Sequence, residues 1–163
     1  FGGHKYAAGL TIEEKNIEAF KKAFEDYVAD TISDDLLVPS ISIDAELDFM
    51  DLKNEKHQDF PKFYRLIRRL APFGPGNMRP VFVSKEVIAH DVRLVGETHL
   101  KLTLGQENCP VRINAIGFNL GDFLDEVVNQ PFHIVYNIEE NNWNGQTNLQ
   151  LNIKDVKLGQ INL

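Results

Sequence analysis

The stretch LKLTLGQENCPVRINAIGF, residues 100–118, alternates apolar and polar positions twice over. Leu100, Leu102 and Leu104 are separated by Lys101 and Thr103; after a short break, Val111, Ile113 and Ala115 are separated by Arg112 and Asn114. Successive side chains of a strand point to opposite faces, so each run predicts a strand with one face in a core and the other in water. The same period recurs on either side. Phe132, Ile134, Tyr136 and Ile138 make one further run, Leu149, Leu151 and Ile153 another, and the segment from Val81 to Val95 supplies a fifth. Asn144-Gly145 favours a type I′ turn joining the last two strands.

A short helical piece, Leu120 to Val128, falls between the third and fourth strands. Five strands with a helix inserted at that point follow the order of an OB-fold, a small barrel that often binds single-stranded nucleic acid. Such barrels bind through the second and third strands and the loops joining strands one to two and four to five. Lys101 and Arg112 are expected on those strands, out of phase with the core positions, with His99 near the first loop and Trp143 beside the hairpin turn. Trp143 could stack on a base, worth ~1–3 kcal/mol, or cover the end of the barrel. Nothing in the sequence points to base-specific readout.

Upstream, Thr11-Ile12-Glu13-Glu14 reads as a capping box, and Ile17, Phe20, Phe24 and Val28 follow at helical spacing. This predicts a helix from Thr11 to about Ile32 with one stripe facing a core. Its N-terminus, just after a glycine-rich opening, favours an anion. Leu36–Asp44 reads as an extended segment in which Pro39 argues for an edge strand or linker. A second helix is expected over Phe60–Leu70, with Phe63, Leu66, Ile67 and Leu70 as its apolar stripe and Lys62, Arg65, Arg68 and Arg69 on the other side. Phe73-Gly74-Pro75-Gly76-Asn77 then reads as a fixed turn before the barrel.

Composition bounds the function. With 43% apolar residues the chain can bury a core, and no apolar run approaches the ~20 residues of a membrane-spanning helix. The single cysteine, Cys109, excludes an internal disulfide and fits a reducing, cytoplasmic setting, where it reads as a small buried hydrophobe. The net charge of −7 is uneven: residues 1–60 hold 6 Lys/Arg against 14 Asp/Glu, and residues 61–163 hold 11 against 10. A polyanion site must therefore be a local patch. The histidines at 4, 57, 90, 99 and 133 have no metal-ligand spacing.

The opening Gly2-Gly3-His4-Lys5-Tyr6-Ala7-Ala8-Gly9 resembles the GGHxxAAG signature of the DHH-associated domain, the second domain of the DHH phosphoesterases. Leu70-Ala71-Pro72-Phe73-Gly74-Pro75-Gly76-Asn77, with Asn142-Trp143-Asn144-Gly145 and the strand behind it, is similar to the C-terminal region of the RecJ family of single-stranded-DNA-specific exonucleases. The expected fold class is α+β: a partial DHH-associated α/β domain over residues 1–40, a linking strand and helix over 41–79, and a five-stranded OB barrel over 80–163.

The resemblance implies the C-terminal part of a longer enzyme that cleaves single-stranded DNA from the 5′ end in repair and recombination. It implies two Mn2+ or Mg2+ ions held by a separate domain, so that these residues alone do not hydrolyse DNA. It places His4 at the scissile phosphate, where a hydrogen bond to a phosphate oxygen would count as charge develops, although a lone histidine is more often structural. It also implies that Gly2, Gly3, Ala8 and Gly9 grip the phosphate backbone, with Gly2 and Gly3 letting amides approach and the small residues packing beneath. Arg65, Arg68, Arg69 and Arg79 are candidates to line the path of the strand. Two rival functions stand beside this one: a DHH phosphodiesterase acting on short RNA or cyclic dinucleotides, and an OB module that docks a single-strand-binding protein or a RecQ-like helicase.

Overall fold

The computed structural model describes residues 2–4, 6–56 and 58–160. The chain divides into two compact units, Phe1–Ile41 and Ser42–Leu163. In the first, β1 (Gly2–His4) and β2 (Ala7–Gly9) form an antiparallel hairpin that pairs Gly3 with Ala8. A Cβ on Gly3 would lie 2.7 Å from the Ala8 Cβ. Glycine at position 3 is thus required by the cross-strand partner, a demand separate from phosphate approach.

α1 spans Ile17–Thr31 after a 3-10 turn at Glu14–Asn16, and its C-terminal boundary at Ile32 is as expected. The capping box at Thr11 does not form. Glu13 is the extended residue before the first turn, its side chain accepts no capping hydrogen bond, and Thr11 lies outside the helix. The expected core stripe is also uncovered: Ile17, Phe20 and Phe24 are 44%, 42% and 57% exposed. One short hairpin and one helix bury too little surface to enclose a core, and none of the described residues 2–41 is buried.

The second unit is a closed barrel. β3 (Ala45–Glu46) pairs parallel with β4 (Phe82–Val95), and β4 is followed by β5 (His99–Gln106) and β6 (Ile113–Gly117). β7 (Phe132–Trp143) and β8 (Gln146–Leu158) form the final hairpin, with Asn144 at φ 49° and Gly145 at φ 76° in the turn. The order is β4-β5-β6-β8-β7, and β7 returns to pair with β4. This is the five-stranded OB topology, with β6 and β8 parallel and the other barrel pairs antiparallel. Leu100, Leu102, Leu104, Ala115, Ile134, Ile138 and Leu151 fill the interior in the phase that the alternation predicts.

Closure depends on the bending of β4. Phe82, Val83, Ser84 and Val87 pair with β7, whereas Val87 to Val95 pair with β5, and the register shifts between Ser84 and Val87. Glu86 takes φ 50° at that bulge, and His133 Nδ1 accepts its amide at 3.3 Å. Bulges bend a strand and raise its twist, which lets one strand serve two neighbours.

Of residues 41–79, expected as a linking strand and helix, 42–79 fall in the barrel unit. Leu36–Asp44 is not a strand: a 3-10 turn occupies Asp34–Leu36, and only Ala45 and Glu46 pair. A 3-10 turn at Phe49–Leu52, held by Met50 N–H to Asp48 at 2.8 Å, buries Phe49 and Leu52. α2 (Lys62–Arg68) is shorter than Phe60–Leu70, and its buried residues are Tyr64 and Ile67, while Leu66 and Leu70 are exposed. These side chains join the barrel core, and Phe63 meets the Phe82 ring at 5.6 Å. The turn after α2 is fixed by Asn77, whose Nδ2 donates to the Leu70 and Pro72 carbonyls, both at 2.8 Å. α3 (Leu124–Asn129) follows a 3-10 turn at Gly121–Phe123, within a residue of the expected bounds.

Phe49→Ala should destabilise this unit by ~3–5 kcal/mol, read from the urea midpoint, because Phe49 is wholly buried. A loss under ~1 kcal/mol would show that the segment before α2 is dispensable to the core. Tyr136 generates a pH prediction. Burial raises its phenol pKa above the usual 10.0, outweighing the opposing hydrogen bond with Ser84. The unfolded chain then releases the phenol proton first, so stability is present below pH ~10 and falls above it. Between pH 9 and 11 the melting temperature should fall less in Tyr136→Phe than in the wild type, with the variant ~1 kcal/mol less stable at pH 7.

Candidate nucleic-acid interface

The outer face of the barrel is built from the positions between the core residues. Arg93 on β4 stands directly opposite Lys101 on β5, and Lys101 stands opposite Ile116 on β6. In the next row Thr103 stands opposite Asn114, Asn114 opposite Gln150 on β8, and Gln150 opposite Glu139 on β7. Asn141 and Asn148 pair one step nearer the hairpin turn, which carries Trp143. Arg93, Lys101, Asn114, Asn141, Trp143, Asn148, Leu149 and Gln150 line one open cleft of about 340 Å³.

Two cations in register repel each other, and like charges directly opposite across a strand pair destabilise a sheet. Neither Arg93 nor Lys101 has an ion-pair partner among the described residues. An anion over the pair would relieve the repulsion. Trp143 is 72% exposed, so it does not cover the barrel end and its indole is free to meet a ligand. At the opposite end of β5 lies a second exposed aromatic, Phe118, which meets the His99 ring edge-on at 5.1 Å. His99 Nδ1 accepts the Asn119 amide at 3.2 Å and so fixes the ring beside the loop after β6.

The other candidates are engaged elsewhere in the unit. Arg112 precedes β6 and does not lie on it; its Nη1 donates to the Cys109 carbonyl at 2.8 Å and the Val111 carbonyl at 3.0 Å. Gly105 makes room for this guanidinium, since a Cβ there would stand 2.6 Å from Nη1. Arg112 therefore braces the loop that holds buried Cys109. Arg65 donates to Gln58 Oε1 at 2.6 Å and faces Glu55 at 3.6 Å. Arg68 pairs with Glu140 at 3.2 Å and lies over the Phe60 ring. Arg79 lies over the Phe73 ring at 5.0 Å. Tyr64 also donates to Glu140 at 3.2 Å, and burial followed by that carboxylate raises its pKa. Arg69 is exposed, with no ion-pair partner among the described residues. Arg68 thus ties α2 to β7, and Arg65 ties it to the segment before it.

In the N-terminal hairpin, His4 Nδ1 accepts the Tyr6 amide at 3.2 Å. The neutral ring then carries its proton on Nε2. A Cβ at Gly2 or at Gly9 would meet nothing within 4 Å, so both present open backbone. Of the five histidines, His57 lies outside the described residues.

The profile of the RecJ OB domain family matches residues 43–155. This chain belongs to that family. It is 26% identical to the single-stranded-DNA-specific exonuclease RecJ of Bacillus subtilis over 98% of its own length and 20% of that protein's. It is 32% identical to the RecJ of Haemophilus influenzae over 93% of its length and 25% of that protein's. Its structure is similar to that of RecJ from Thermus thermophilus in complex with Mn2+, with a TM-score of 0.69 and 26% identity over 98% of this chain and 22% of that one. The chain thus spans about a fifth to a quarter of the relatives it matches.

Alternation alone puts Lys101 on the outer face and the turn signal puts Trp143 beside the hairpin, whereas Arg93, Asn114, Asn141 and Asn148 reach the same cleft only through the register between strands. The RecJ OB domain's two kinds of arginine should separate by stability. Arg112→Ala should lower unfolding free energy by ~1–2 kcal/mol through loss of its two carbonyl contacts. Trp143→Ala and Arg93→Ala should stay within ~0.5 kcal/mol of wild type. A destabilisation above ~1.5 kcal/mol on truncating Trp143 would reassign it to packing.

Proposed function

We propose that this chain is the substrate-binding, C-terminal region of a RecJ-like enzyme that degrades single-stranded DNA 5′ to 3′ during repair and recombination in the cytoplasm. The observation that carries the reading is the unpaired Arg93–Lys101 row beside an exposed Trp143 on the face where OB barrels bind strands. The cations attract phosphates, and the indole offers a sequence-tolerant stacking surface. An overall charge of −7 confines the attraction to this patch.

Hydrolysis belongs to a separate domain that holds Mn2+ or Mg2+ in the parent enzyme, and this chain alone is inactive. Among the described residues no three His, Cys, Asp or Glu side chains are grouped to hold a metal, so these residues do not fit the metal pair and no step through it is derived from them. Their part is to hold the strand. His4, with Nε2–H directed away from its Tyr6 contact, donates to an oxygen of the scissile phosphate. The open backbone at Gly2 and Gly9, with Gly3 and Ala8 between them, supports the neighbouring phosphate. Arg69, exposed at the C-terminal end of α2, is left to meet the strand.

A second reading, docking of a single-strand-binding protein or a RecQ-like helicase, draws on exposed Leu94, Val95 and Phe118 near the β4–β5 turn.

Titration of a 5′-labelled single-stranded oligonucleotide by fluorescence anisotropy should show salt-sensitive binding that exceeds duplex binding and weakens in Lys101→Glu. Equal affinity for duplex, or no single-strand binding at low salt, would remove the proposal. In the full-length enzyme, His4→Ala should slow single-turnover cleavage at least ~10-fold, since loss of one such donor commonly costs ~10²–10³. Near wild-type cleavage by a folded His4→Ala enzyme would sink the assignment.

A further inference from the structure

Resting on the stacking role read for Trp143, we infer that Glu140 is a positioning residue: it ties the overhanging end of the β7–β8 hairpin to α2 and so holds the indole where a base can stack on it. β7 pairs with β4 only from Phe132 to Tyr136, and β8 pairs with β6 only from Gln150 onward. The four rows beyond, from Glu140–Leu149 to Trp143–Gln146, pair with each other and, among the described residues, with no third strand. A two-stranded ribbon is marginal by itself and twists more than a wider sheet. This one is not packed solidly from below. Thr147, Asn148 and Leu149 of the ribbon line an open groove of about 240 Å³ together with Leu52, Phe60 and Pro61 from the segment before α2, and Asn54, Asp59 and residues 111–114 complete it.

The tie is made from α2. Tyr64 and Arg68 lie four residues apart and share one face of that helix. Tyr64 Oη donates to Glu140 Oε1 at 3.2 Å, and Arg68 Nε pairs with the same oxygen at 3.2 Å. Both partners are themselves fixed: the Tyr64 ring is buried and meets the Phe60 ring edge-on at 5.5 Å, and the Arg68 guanidinium lies over that ring at 5.4 Å. Leu149, opposite Glu140 across the ribbon, packs against the core, so this row is the anchor. Beyond it, the side-chain hydrogen bond among the described residues runs from Thr147 to Asn142 and stays inside the ribbon. Residues three apart on a strand point to opposite faces. Glu140 is thus held toward α2 while Trp143, three residues on, is presented to the cleft.

Trp143 is the sole tryptophan, so its fluorescence reports on the ribbon without a label. In this chain, Glu140→Ala and Tyr64→Phe should each enlarge the fast-decaying part of the Trp143 anisotropy and weaken oligothymidylate binding by about 5-fold or more, the low end of what one stacked base is worth. Tyr64→Phe keeps the buried ring, and circular dichroism confirms that both variants fold. Glu140→Gln retains an acceptor oxygen and should return both readouts to near wild type. In a Trp143→Ala background, Glu140→Ala should cost no further affinity, because it acts through the indole. Unchanged Trp143 anisotropy in folded Glu140→Ala, or losses from Glu140→Ala and Trp143→Ala that simply add, would overturn the positioning role and leave single-strand binding intact. Tighter binding in both Glu140→Ala and Glu140→Gln would reduce Glu140 to a repelling charge and overturn it equally. Failure of the wild-type chain to bind any strand would remove the stacking reading and this inference with it.

Discussion

The structure depends on one strand doing two jobs. β4 pairs with β7 through its first residues and with β5 through its last, and the barrel closes only because the chain bends at the bulge around Glu86. A straight strand would leave β7 and β5 on opposite edges of an open sheet, each with unpaired amides and carbonyls. A second register shift, between Ala89 and Asp91, then sets the pairing of the last residues of β4, so that Arg93 faces Lys101, and Lys101 faces Ile116.

The buried polar groups support this closure. Ser84 Oγ donates to the Leu47 carbonyl at 2.7 Å and lies 2.9 Å from the Tyr136 hydroxyl, which links β4, the segment after β3 and β7 in the interior. Asn137 Nδ2 donates to the Pro80 carbonyl at 2.6 Å, and His133 Nε2 stands 2.6 Å from the Gly159 carbonyl. Each group would be costly to bury alone, so each ties β7 to one neighbouring segment in a single arrangement. β7 consequently reads as continuously buried from Phe132 to Ile138, although its sequence alternates.

Function on such a barrel is a matter of what the outer face retains after folding has used the rest. Folding takes Arg112 for the loop at Cys109, Arg68 for Glu140 and Arg79 for the Phe73 ring. Arg93 and Lys101 are left facing one another without carboxylates, at a cost to the sheet that local structure does not offset. Arg68 fastens α2 to β7 and Arg65 fastens it to the segment before it, while Arg69, Arg93 and Lys101 have no ion-pair partner among the described residues.

The sequence by itself determined the barrel strands, the helix between the third and fourth, the hairpin turn and the inward set of Leu100, Leu102, Leu104 and Leu151, because period-two alternation and Asn-Gly turn chemistry are local properties. It also marked Lys101 and Trp143 as outward. Partnership was decided only by the tertiary structure. Whether Thr11 capped a helix, whether Phe24 met a core and whether residues 42–79 linked or packed depended on surfaces distant in the chain. Pairing between strands set Arg93 beside Lys101 and put Arg112 over Gly105. Register is fixed by closure of the whole sheet, and no window of sequence contains it.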